Sequence, residues 1–322
     1  TAYDAVKYFE DITISKKEDS IEIPDIYYAV YQNIIAINHF KNEAVIFAHC
    51  YERKSNIEII NHLIKKQSFS SYDFKPKGEI ISNLTDKAFK SNVDLAKKHC
   101  SRGDVFQLVL SKKFQQDFKG DDFNVYRALR SINPSPFLFY FDYGKFKIFG
   151  SSPEAQLIVE NKKAEIHPIA GTFARTGDDL KDAELAKNLV ANKKENSEHV
   201  MLVDLARNDL SRHCTKVVIE KYREVQFFSH VIHLVSKVIG AIKEGTPTIQ
   251  IVADTFPAGT LSGAPKHKAM QLIEKYEKTS RTFYGGSIGF MDFNGNYTHA
   301  IMIRTFLSKD YQLHWQAGAG IV

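Results

Sequence analysis

Apolar and polar residues alternate in short runs along the first part of the chain. Residues 27–35 and 44–48 are apolar runs of strand length, and residues 56–65 are typical of a helix. Residues 68–77 are polar and contain a proline, so they are the best candidate for an internal linker.

A helix with two defined ends is predicted after Thr85. Apolar side chains recur on one face of this segment: Phe89, Val93, Ala96 and Cys100. Threonine is a favoured residue just before a first helical turn, and Gly103 follows where a helix commonly stops.

Strands dominate beyond residue 103, and most of them come in hairpins. Residues 105–114 alternate between two faces, which is the period of a strand. Pairs of strands flank short turn sequences: 137–141 with 146–149, 156–160 with 164–169, and 287–293 with 297–306. The last pair is joined by Asn294-Gly295, the strongest short hairpin signal in the chain.

Helices are predicted at 178–200, 248–256 and 266–278. Residues 230–239 are rich in β-branched side chains and favour a strand, although a helix is also open. Hairpins mixed with helices, without βαβ alternation, predict an α+β protein built on antiparallel sheets.

Composition and charge exclude several functional classes. The 322 residues are 43% apolar, as in a globular protein, and their number suggests two domains or one large intertwined one. No apolar run reaches the ~18–20 residues of a membrane span, and the start lacks a basic stretch followed by an apolar one. The net charge of +5 comes from lysines mixed with acidic residues, so no nucleic-acid-binding stripe is predicted.

The cysteines, Cys50, Cys100 and Cys214, are odd in number and widely spaced. They predict reduced thiols in a cytoplasmic protein, not a disulfide framework or a zinc site. The mild positive charge would help to attract an anionic metabolite.

Three polar residues lie within or next to predicted strands. Gln107 lies on a strand face between Val105 and Val109, and its amide must find partners either in the core or in a site. Glu154 stands at a strand mouth after a proline, and Thr172 follows a glycine that would let the backbone approach a ligand. An ordinary turn is the simpler explanation of the last two.

Glu195 and Glu198 are three residues apart, so on a helix they share one face. Like charges at that spacing repel each other, and a hard cation such as Mg²⁺ would remove the repulsion. Because Lys193 and Lys194 stand beside them, a solvated helix face explains the pattern somewhat better.

His230 and His233 point to opposite faces if their segment is a strand, so they are not a natural metal pair. His233 would share its face with Val231 and Val235, either as a core histidine or as a general base.

Two glycine-rich stretches, 259–266 and 316–320, offer backbone amides to an anion, the first of them at a helix start. Arg304 has the bidentate geometry for a carboxylate. Plain turns and a surface charge explain these features equally well. Together the residues indicate an anion site with a divalent metal and one or two acid/base groups, but they do not name a substrate.

In chain order, these segments resemble the signature of the chorismate-utilising enzymes. The similar blocks are Gly-Asp-Val-Phe-Gln at 103–107, Ser-Ser-Pro-Glu at 151–154, Pro-Ile-Ala-Gly-Thr at 168–172, Lys-Glu-Asn-Ser-Glu-His-Val-Met-Leu-Val-Asp-Leu-Ala-Arg-Asn-Asp-Leu at 194–210, Ser-His-Val-Ile-His-Leu-Val-Ser at 229–236, Phe-Pro-Ala-Gly-Thr-Leu-Ser-Gly-Ala-Pro-Lys at 256–266, Tyr-Gly-Gly at 284–286 and Ile-Arg-Thr at 303–305. The resemblance covers residues 85–322 and implies antiparallel sheets packed face to face with helices outside. It also implies a chorismate-binding catalytic domain at 81–322, with residues 1–80 as the remainder of an amino-terminal region integrated with the main fold.

The resemblance implies roles for single residues. Glu198 matches a Mg²⁺ ligand with Glu195 beside it, and the metal would hold the ring carboxylate of chorismate. Glu154 matches the general acid that protonates the departing C4 hydroxyl. His233 matches the active-site histidine, expected near that hydroxyl or assisting pyruvate elimination.

The substrate's enolpyruvyl carboxylate is implied to meet Arg304 and Tyr284. The family's pocket is also lined by residues that match Thr172 and the backbone of Gly318, Ala319 and Gly320.

Two positions separate the subfamilies. Isochorismate- and salicylate-forming members have a water-activating lysine where this chain has Gln107, and ammonia needs no such base. Aminodeoxychorismate synthases of the covalent type have a nucleophilic lysine where this chain has Ala170. The resemblance therefore implies an anthranilate synthase-type lyase of tryptophan biosynthesis, which converts chorismate and ammonia to anthranilate and pyruvate.

Ammonia is implied to come from a separate glutamine amidotransferase subunit, since no Gly-x-Cys-x-Gly elbow occurs in the chain. The alternatives are an aminodeoxychorismate synthase component I without the lysine nucleophile, or a non-catalytic chorismate-family binding subunit.

The family's catalytic chain usually extends further at both ends. We expect this sequence to lack the strands with a Leu-Leu-Glu-Ser motif that helps to bind feedback tryptophan, while Asn133, Pro134 and Ser135 resemble the other half of that regulatory site. In the family, a helix with a second pair of metal-site carboxylates follows the position of Val322. We therefore expect this chain to bind Mg²⁺ weakly and to turn over poorly.

Overall fold

The computed structural model describes residues 1–15, 17, 21–50, 55–66 and 72–322. They form two compact units. The smaller unit comprises Ile26–Asp73, and the larger unit comprises Thr1–Asp25 together with Phe74–Val322.

The smaller unit contains a β-hairpin and one helix. Strands β1 (Asn33–Asn38) and β2 (Glu43–Ala48) pair antiparallel, and the turn between them places Asn42 in the left-handed region at φ 54°. Asparagine tolerates this conformation better than most residues. Helix α1 (Ile57–Lys66) follows.

The predictions for this unit are partly confirmed. The strand at 44–48 and the helix at 56–65 are present, whereas the strand predicted at 27–35 begins only at Asn33. Of the linker predicted at 68–77, residues 68–71 lie outside the described residues. The rest of it was wrong from Phe74 onward, where a strand begins.

The strands of the larger unit, in chain order, are β3 (Phe74–Ser82), β4 (Gln107–Gly120), β5 (Phe137–Asp142), β6 (Lys147–Ser152), β7 (Ala155–Glu160), β8 (Lys163–Ile166), β9 (Ile169–Ala174), β10 (Cys214–Phe227), β11 (Val231–Ile242), β12 (Gly263–Ala264), β13 (Ser287–Met291), β14 (Tyr297–Ile301), β15 (Thr305–Lys309) and β16 (Gln312–Ile321). Its helices are α2 (Asp86–Ser101), α3 (Phe123–Ile132), α4 (Asp179–Ala191), α5 (Lys193–Ser211), α6 (Thr248–Thr255), α7 (Gly259–Ser262) and α8 (Lys266–Tyr276), after a 3₁₀ helix at Tyr3–Tyr8.

These strands form two antiparallel sheets of seven strands each. The first sheet has the order β12-β4-β16-β15-β6-β5, and β3 also pairs with β4. The second sheet has the order β10-β11-β8-β7-β14-β13, and β9 also pairs with β11. One buried cluster combines Ile148 and Leu307 of the first sheet with Ile288 of the second, so the two sheets share a core. The predicted α+β class with antiparallel sheets is confirmed.

The predicted strand at 105–114 and the three predicted hairpins are present, although the bounds of their strands differ from the predicted ones. The predicted helices at 248–256 and 266–278 correspond to α6 and α8. Residues 230–239, for which the sequence favoured a strand but allowed a helix, form a strand.

Helix α2 has the ends that its sequence predicts. The Thr85 hydroxyl accepts a hydrogen bond from the Ala88 amide at 3.2 Å, which is worth about 1 kcal/mol at a helix start. The predicted apolar face packs in one cluster with Leu108 and Leu110 of β4.

The single helix predicted at 178–200 is wrong, because the chain forms two helices there. Asn192 is extended (φ −69°, ψ 112°), and its side chain accepts hydrogen bonds from the amides of Lys194 and Glu195. This is an N-cap inside a continuous helical pattern. As a result, Glu195 stands in the first turn of α5.

Two predicted strands are broken in the structure. The strand predicted at 164–169 ends at Ile166, and β9 begins after Pro168, which has no amide hydrogen to donate to a ladder. The strand predicted at 297–306 ends at Ile301 and resumes at Thr305, with Arg304 at φ 50° between them. Both breaks lie at segments that carry candidate site residues.

The described cysteines are all free thiols. Among the described helices, none combines the length and the apolar character needed to cross a membrane.

Candidate active site

His233 and Thr172 lie opposite each other on the paired strands β11 and β9. The His233 Nδ1 atom is 3.0 Å from the Gly171 carbonyl oxygen and 3.1 Å from Thr172 Oγ1. A carbonyl oxygen only accepts hydrogen bonds, so Nδ1 carries the hydrogen and Nε2 keeps its lone pair.

The ring of His233 is held in the neutral form. Burial lowers the pKa of His233, and the nearby Arg304 guanidinium lowers it further. The Phe228 ring packs edge-on against the imidazole, with 5.3 Å between ring centroids. The site therefore contains a base, Nε2, that is unprotonated near neutral pH.

Gln107 joins the start of β4 to helix α5. Its Nε2 donates to Glu198 Oε1 at 3.1 Å, and only 3% of the glutamine is exposed. Its Oε1 is buried and has no hydrogen-bond partner among the described residues. A Cβ added at Gly320 would lie 3.3 Å from Gln107 Nε2, so the second glycine stretch passes directly over this amide.

Glu195 and Glu198 face this same region from α5. Burial raises the pKa of Glu198, and the neighbouring Glu195 carboxylate raises it further. A Cβ added at Gly171 would lie 3.3 Å from Glu195 Oε2, which places that carboxylate beside β9, the strand whose Gly171 carbonyl binds His233. Both glutamates are therefore half-buried and do not lie on a fully solvated helix face.

The donor atoms here suit a hard cation in kind. Two carboxylates and the unpartnered Gln107 Oε1 are oxygen ligands of the type that Mg²⁺ takes, with water completing its coordination. Within the described ranges, no group of three or more histidine, cysteine, aspartate or glutamate side chains could hold a metal alone. These oxygen atoms therefore suit a cation that is bound partly by the protein and partly by oxygen atoms of water or a ligand.

Glu154 lies between β6 and β7 and is 9% exposed. The Thr260 hydroxyl donates to its Oε1 at 3.2 Å. Burial raises the pKa of Glu154 to about 8, against the opposing effect of that hydrogen bond. The carboxyl group is therefore mostly protonated at pH 7 and suited to act as an acid.

Lys266, the last residue of the first glycine stretch, is bound by two acceptors outside that stretch. Its Nζ donates to Asp209 Oδ2 at 2.6 Å and to the Thr255 carbonyl at 2.7 Å. Asp209, Glu154 and Thr260 line one small cavity of about 30 Å³. The sequence contained Asp209 and Lys266 within separate motif blocks, but nothing in it indicated that they pair.

Tyr284 and Gly318 are in close contact. A Cβ added at Gly318 would lie 2.4 Å from Tyr284 Oη, so only glycine leaves room for this hydroxyl. Burial raises the pKa of Tyr284 to about 12, which keeps it a hydrogen-bond donor. Ala319 and Gly320 follow on the same strand.

Arg304 is exposed and forms an ion pair with none of the described carboxylates. Its left-handed backbone (φ 50°) is unusual for a side chain of this size. Its field reaches His233, whose pKa it lowers. A charged, unpaired guanidinium next to a neutral histidine is available for an anionic ligand.

The predicted regulatory residues and His230 are not among the described residues that hydrogen-bond to His233 or Glu198. The Asn133 carbonyl, at the end of α3, accepts a hydrogen bond from the Ser151 hydroxyl, and Pro134 and Ser135 lead from there into β5. His230 Nε2 contacts the Ile132 carbonyl at 2.7 Å, so it does not join His233.

The fold and this site define a class of protein. Over residues 1–322 the chain matches the family of chorismate binding enzymes, and it belongs to that family. Anthranilate synthase component 1 of Aquifex aeolicus is 40% identical over 340 residues, covering 100% of this chain and 68% of the relative. The component of the same name from Acetivibrio thermocellus is 38% identical, covering 99% of this chain and 69% of the relative.

Solved structures of similar proteins have the same fold. Anthranilate synthase component I from Streptococcus pneumoniae TIGR4 superposes with a TM-score of 0.87 at 34% identity, covering 100% of this chain and 74% of that chain. The menaquinone-specific isochorismate synthase from Escherichia coli shares the fold, with a TM-score of 0.74 at 22% identity over 83% of this chain and 62% of that chain. The predicted family is confirmed.

Proposed function

We propose that this chain is the catalytic component of an anthranilate synthase, which converts chorismate and ammonia to anthranilate and pyruvate. The observation that carries this proposal is the buried Gln107 amide bonded to Glu198 at 3.1 Å. An amide cannot act as a base toward water, whereas ammonia is a competent nucleophile without one. The relatives named above support the same activity.

The protein groups have separate tasks in this reaction. Ammonia adds at C2 while the C4 hydroxyl leaves as water, and Glu154 donates the proton that this departure needs. In the second step the C2–H and C3–O bonds break. Nε2 of His233 accepts the C2 proton as the ring becomes aromatic, and the departing enolpyruvate takes up a proton at its methylene carbon to become pyruvate. Thr172 and the Gly171 carbonyl keep the imidazole in the required tautomer.

The substrate's carboxylates are bound at two places. Arg304, the Tyr284 hydroxyl and the backbone of Gly318–Gly320 hold the enolpyruvyl carboxylate. Glu195 and Glu198 would hold Mg²⁺, which when bound neutralises the ring carboxylate and relieves the repulsion that raises the pKa of Glu198.

The finer assignments extend this proposal. A separate glutamine amidotransferase subunit would supply the ammonia, and the protein would work in the cytoplasm, consistent with its free thiols. In a chain that also carries the Leu-Leu-Glu-Ser strands, tryptophan would act as a feedback inhibitor through a site to which Asn133, Pro134 and Ser135 contribute. An aminodeoxychorismate synthase component I is the second candidate, because it uses the same substrate and nucleophile.

Product analysis tests the proposal. We incubate the chain with chorismate, MgCl₂ and an ammonium salt, and expect fluorescent anthranilate and pyruvate in equal amounts. Aminodeoxychorismate that accumulates without pyruvate would instead establish the second candidate. Isochorismate as the main product would show that water, not ammonia, is the nucleophile. The same chain carrying Glu154→Gln serves as the catalytic control.

A further inference from the structure

One flank of strand β4 has a gap in its strand pairing. Strand β16 pairs with β4 along one side from Leu108 to Asp117. On the other side, β12 pairs only with Gln107 and Leu108, and β3 pairs only with residues from Phe114 onward. Backbone groups between these two points have no strand beside them in the described chain, although they are buried.

Asn83 satisfies the end of this backbone next to β3, where its side chain accepts from the Lys113 amide at 2.9 Å and its own backbone amide donates to the Lys113 carbonyl at 3.1 Å. Two other side chains satisfy the end next to β12. Arg281 Nη2 donates to the Val109 carbonyl at 2.7 Å, and Glu277 Oε1 accepts from the Ser111 amide at 2.8 Å. The Ser111 hydroxyl also donates to Glu277 Oε1, at 2.7 Å. Arg281 and Glu277 are bonded to each other twice, through Nε at 2.9 Å and Nη2 at 2.7 Å.

The same ion pair reaches the elements that carry the carboxylate site. Arg281 Nη1 donates to the Leu261 carbonyl at 2.7 Å, inside the glycine stretch that forms α7. Its guanidinium lies 5.7 Å from the Tyr284 ring centroid. Ser111, which Glu277 holds, is the register partner of Gly318, and Gly318 supports the Tyr284 hydroxyl.

A planar guanidinium is required for this arrangement. Arg281 is 2% exposed and Glu277 is 5% exposed, so neither charge can turn to bulk water. Arginine presents several N–H donors in a rigid fork, which here serve two carbonyls and both oxygens of one carboxylate. A lysine would keep the charge but not this geometry.

We propose that Arg281, oriented by Glu277, is a positioning residue that sets the Tyr284 hydroxyl against Gly318 and thereby shapes the carboxylate subsite. It does so without contacting the substrate. This inference rests on the proposed function, because the subsite is assigned to chorismate there. It explains why a charged pair is buried next to a tyrosine that needs a defined ring position.

A double-mutant cycle on the full chain tests the proposal. Chorismate affinity is measured by titration calorimetry with MgCl₂ for the unmodified chain, Arg281→Lys, Tyr284→Phe and the double variant. We expect Arg281→Lys to weaken binding about tenfold alone and less than about twofold in the Tyr284→Phe background, since both act through one hydroxyl. A purely structural role would give the same loss in both backgrounds and would overturn the proposal.

Two further variants separate positioning from stability. Lys147→Met breaks another ion pair of the first sheet, Lys147 with Asp122 at 2.8 Å, and should lower thermal stability without changing chorismate affinity. If Arg281→Lys does not fold, Ser111→Ala serves instead: it removes the hydroxyl that donates to Glu277 at 2.7 Å and accepts from Gln316 Nε2 at 2.6 Å. Its smaller loss of affinity must also disappear with Tyr284→Phe. Additive losses overturn the inference alone, whereas an unmodified chain that does not bind chorismate overturns the proposed function and the inference with it.

Discussion

At the scale of single residues, Glu154 is the proposed acid, and the Thr260 hydroxyl affects its pKa. Burial raises the pKa of the carboxyl group to about 8, while the Thr260 hydroxyl bond lowers it. His233 is the proposed base and would limit activity at the acid end of the pH range, because a base must be neutral to accept a proton; burial lowers its pKa. The two groups therefore predict a bell-shaped pH profile with its alkaline limb near pH 8.

Thr260→Val should move that alkaline limb to higher pH. The variant removes the hydrogen bond that favours the ionised carboxylate, so Glu154 keeps its proton longer as pH rises. The measurement is the pH dependence of kcat for ammonia-dependent anthranilate formation. Glu154→Gln is the matched control, and it should lower kcat by about 10²–10⁴ with little change in chorismate affinity. An alkaline limb that stays in place in Thr260→Val would contradict the assignment of Glu154 as the acid.

The raised pKa of Glu154 should also make the free energy of unfolding decrease as pH rises. The ordinary pKa of a glutamate is 4.5, and below that pH Glu154 is protonated in both the folded and the unfolded chain, so it contributes no pH dependence. Between that value and about 8, the unfolded chain loses the proton and the folded chain keeps it, so this group makes stability fall as pH rises. Glu154→Gln removes this part of the slope.

At the scale of elements, the break between α4 and α5 determines where the glutamates lie. The Asn192 side chain accepts from the amides of Lys194 and Glu195 at 3.0 and 3.2 Å and starts α5 at that point. Without this cap, the pattern of 178–200 is that of one helix. The first turn of α5 then presents Glu195, and the next turn presents Glu198 to Gln107.

Asn192→Ala should weaken both the fold and the metal response. Loss of an N-cap costs about 1 kcal/mol of unfolding free energy, and a displaced Glu195 should raise the half-saturating Mg²⁺ concentration by about tenfold. Thr85→Ala is the matched control, because it removes the cap of α2 at a distance in sequence from every candidate ligand. Thermal unfolding and Mg²⁺ titration of activity measure the two effects. Equal Mg²⁺ responses in the two variants would show that the cap does not position a metal ligand.

At the scale of the whole molecule, each of the two seven-stranded sheets contributes residues to the proposed substrate site. The first sheet supplies Gln107 and the strand of Gly318–Gly320, and the second supplies His233 and Thr172. The net charge of +5 favours the approach of a dianion. In the proposed site, groups are assigned to chorismate and ammonia, and none of the described residues is assigned to glutamine.

Glutamine alone should therefore be a poor nitrogen source. With chorismate and MgCl₂, we expect ammonium to support anthranilate formation and glutamine to give none, because the chain has no Gly-x-Cys-x-Gly elbow. Addition of the amidotransferase subunit of an anthranilate synthase should restore the use of glutamine. Anthranilate formed from glutamine by the chain alone would contradict the assignment of a separate partner.

The sequence alone determined the local features and the identity of the chemistry. The ends of α2, the three hairpins and the ordered motif blocks depend on neighbouring residues, and local preferences act over a few positions. The α+β class and the family followed from them and are confirmed. The assigned roles of single residues stay predictions.

Only the tertiary structure decided which distant residues meet. Gln107 and Glu198 are 91 positions apart, and Arg281 and Val109 are 172 apart, so no spacing rule relates them. Burial then determines what these groups do: it keeps Glu154 protonated and makes the Arg281–Glu277 pair the substitute for a strand. Desolvation depends on everything packed around a group, which is why the protonated acid and the gap beside β4 could be found only in the folded chain.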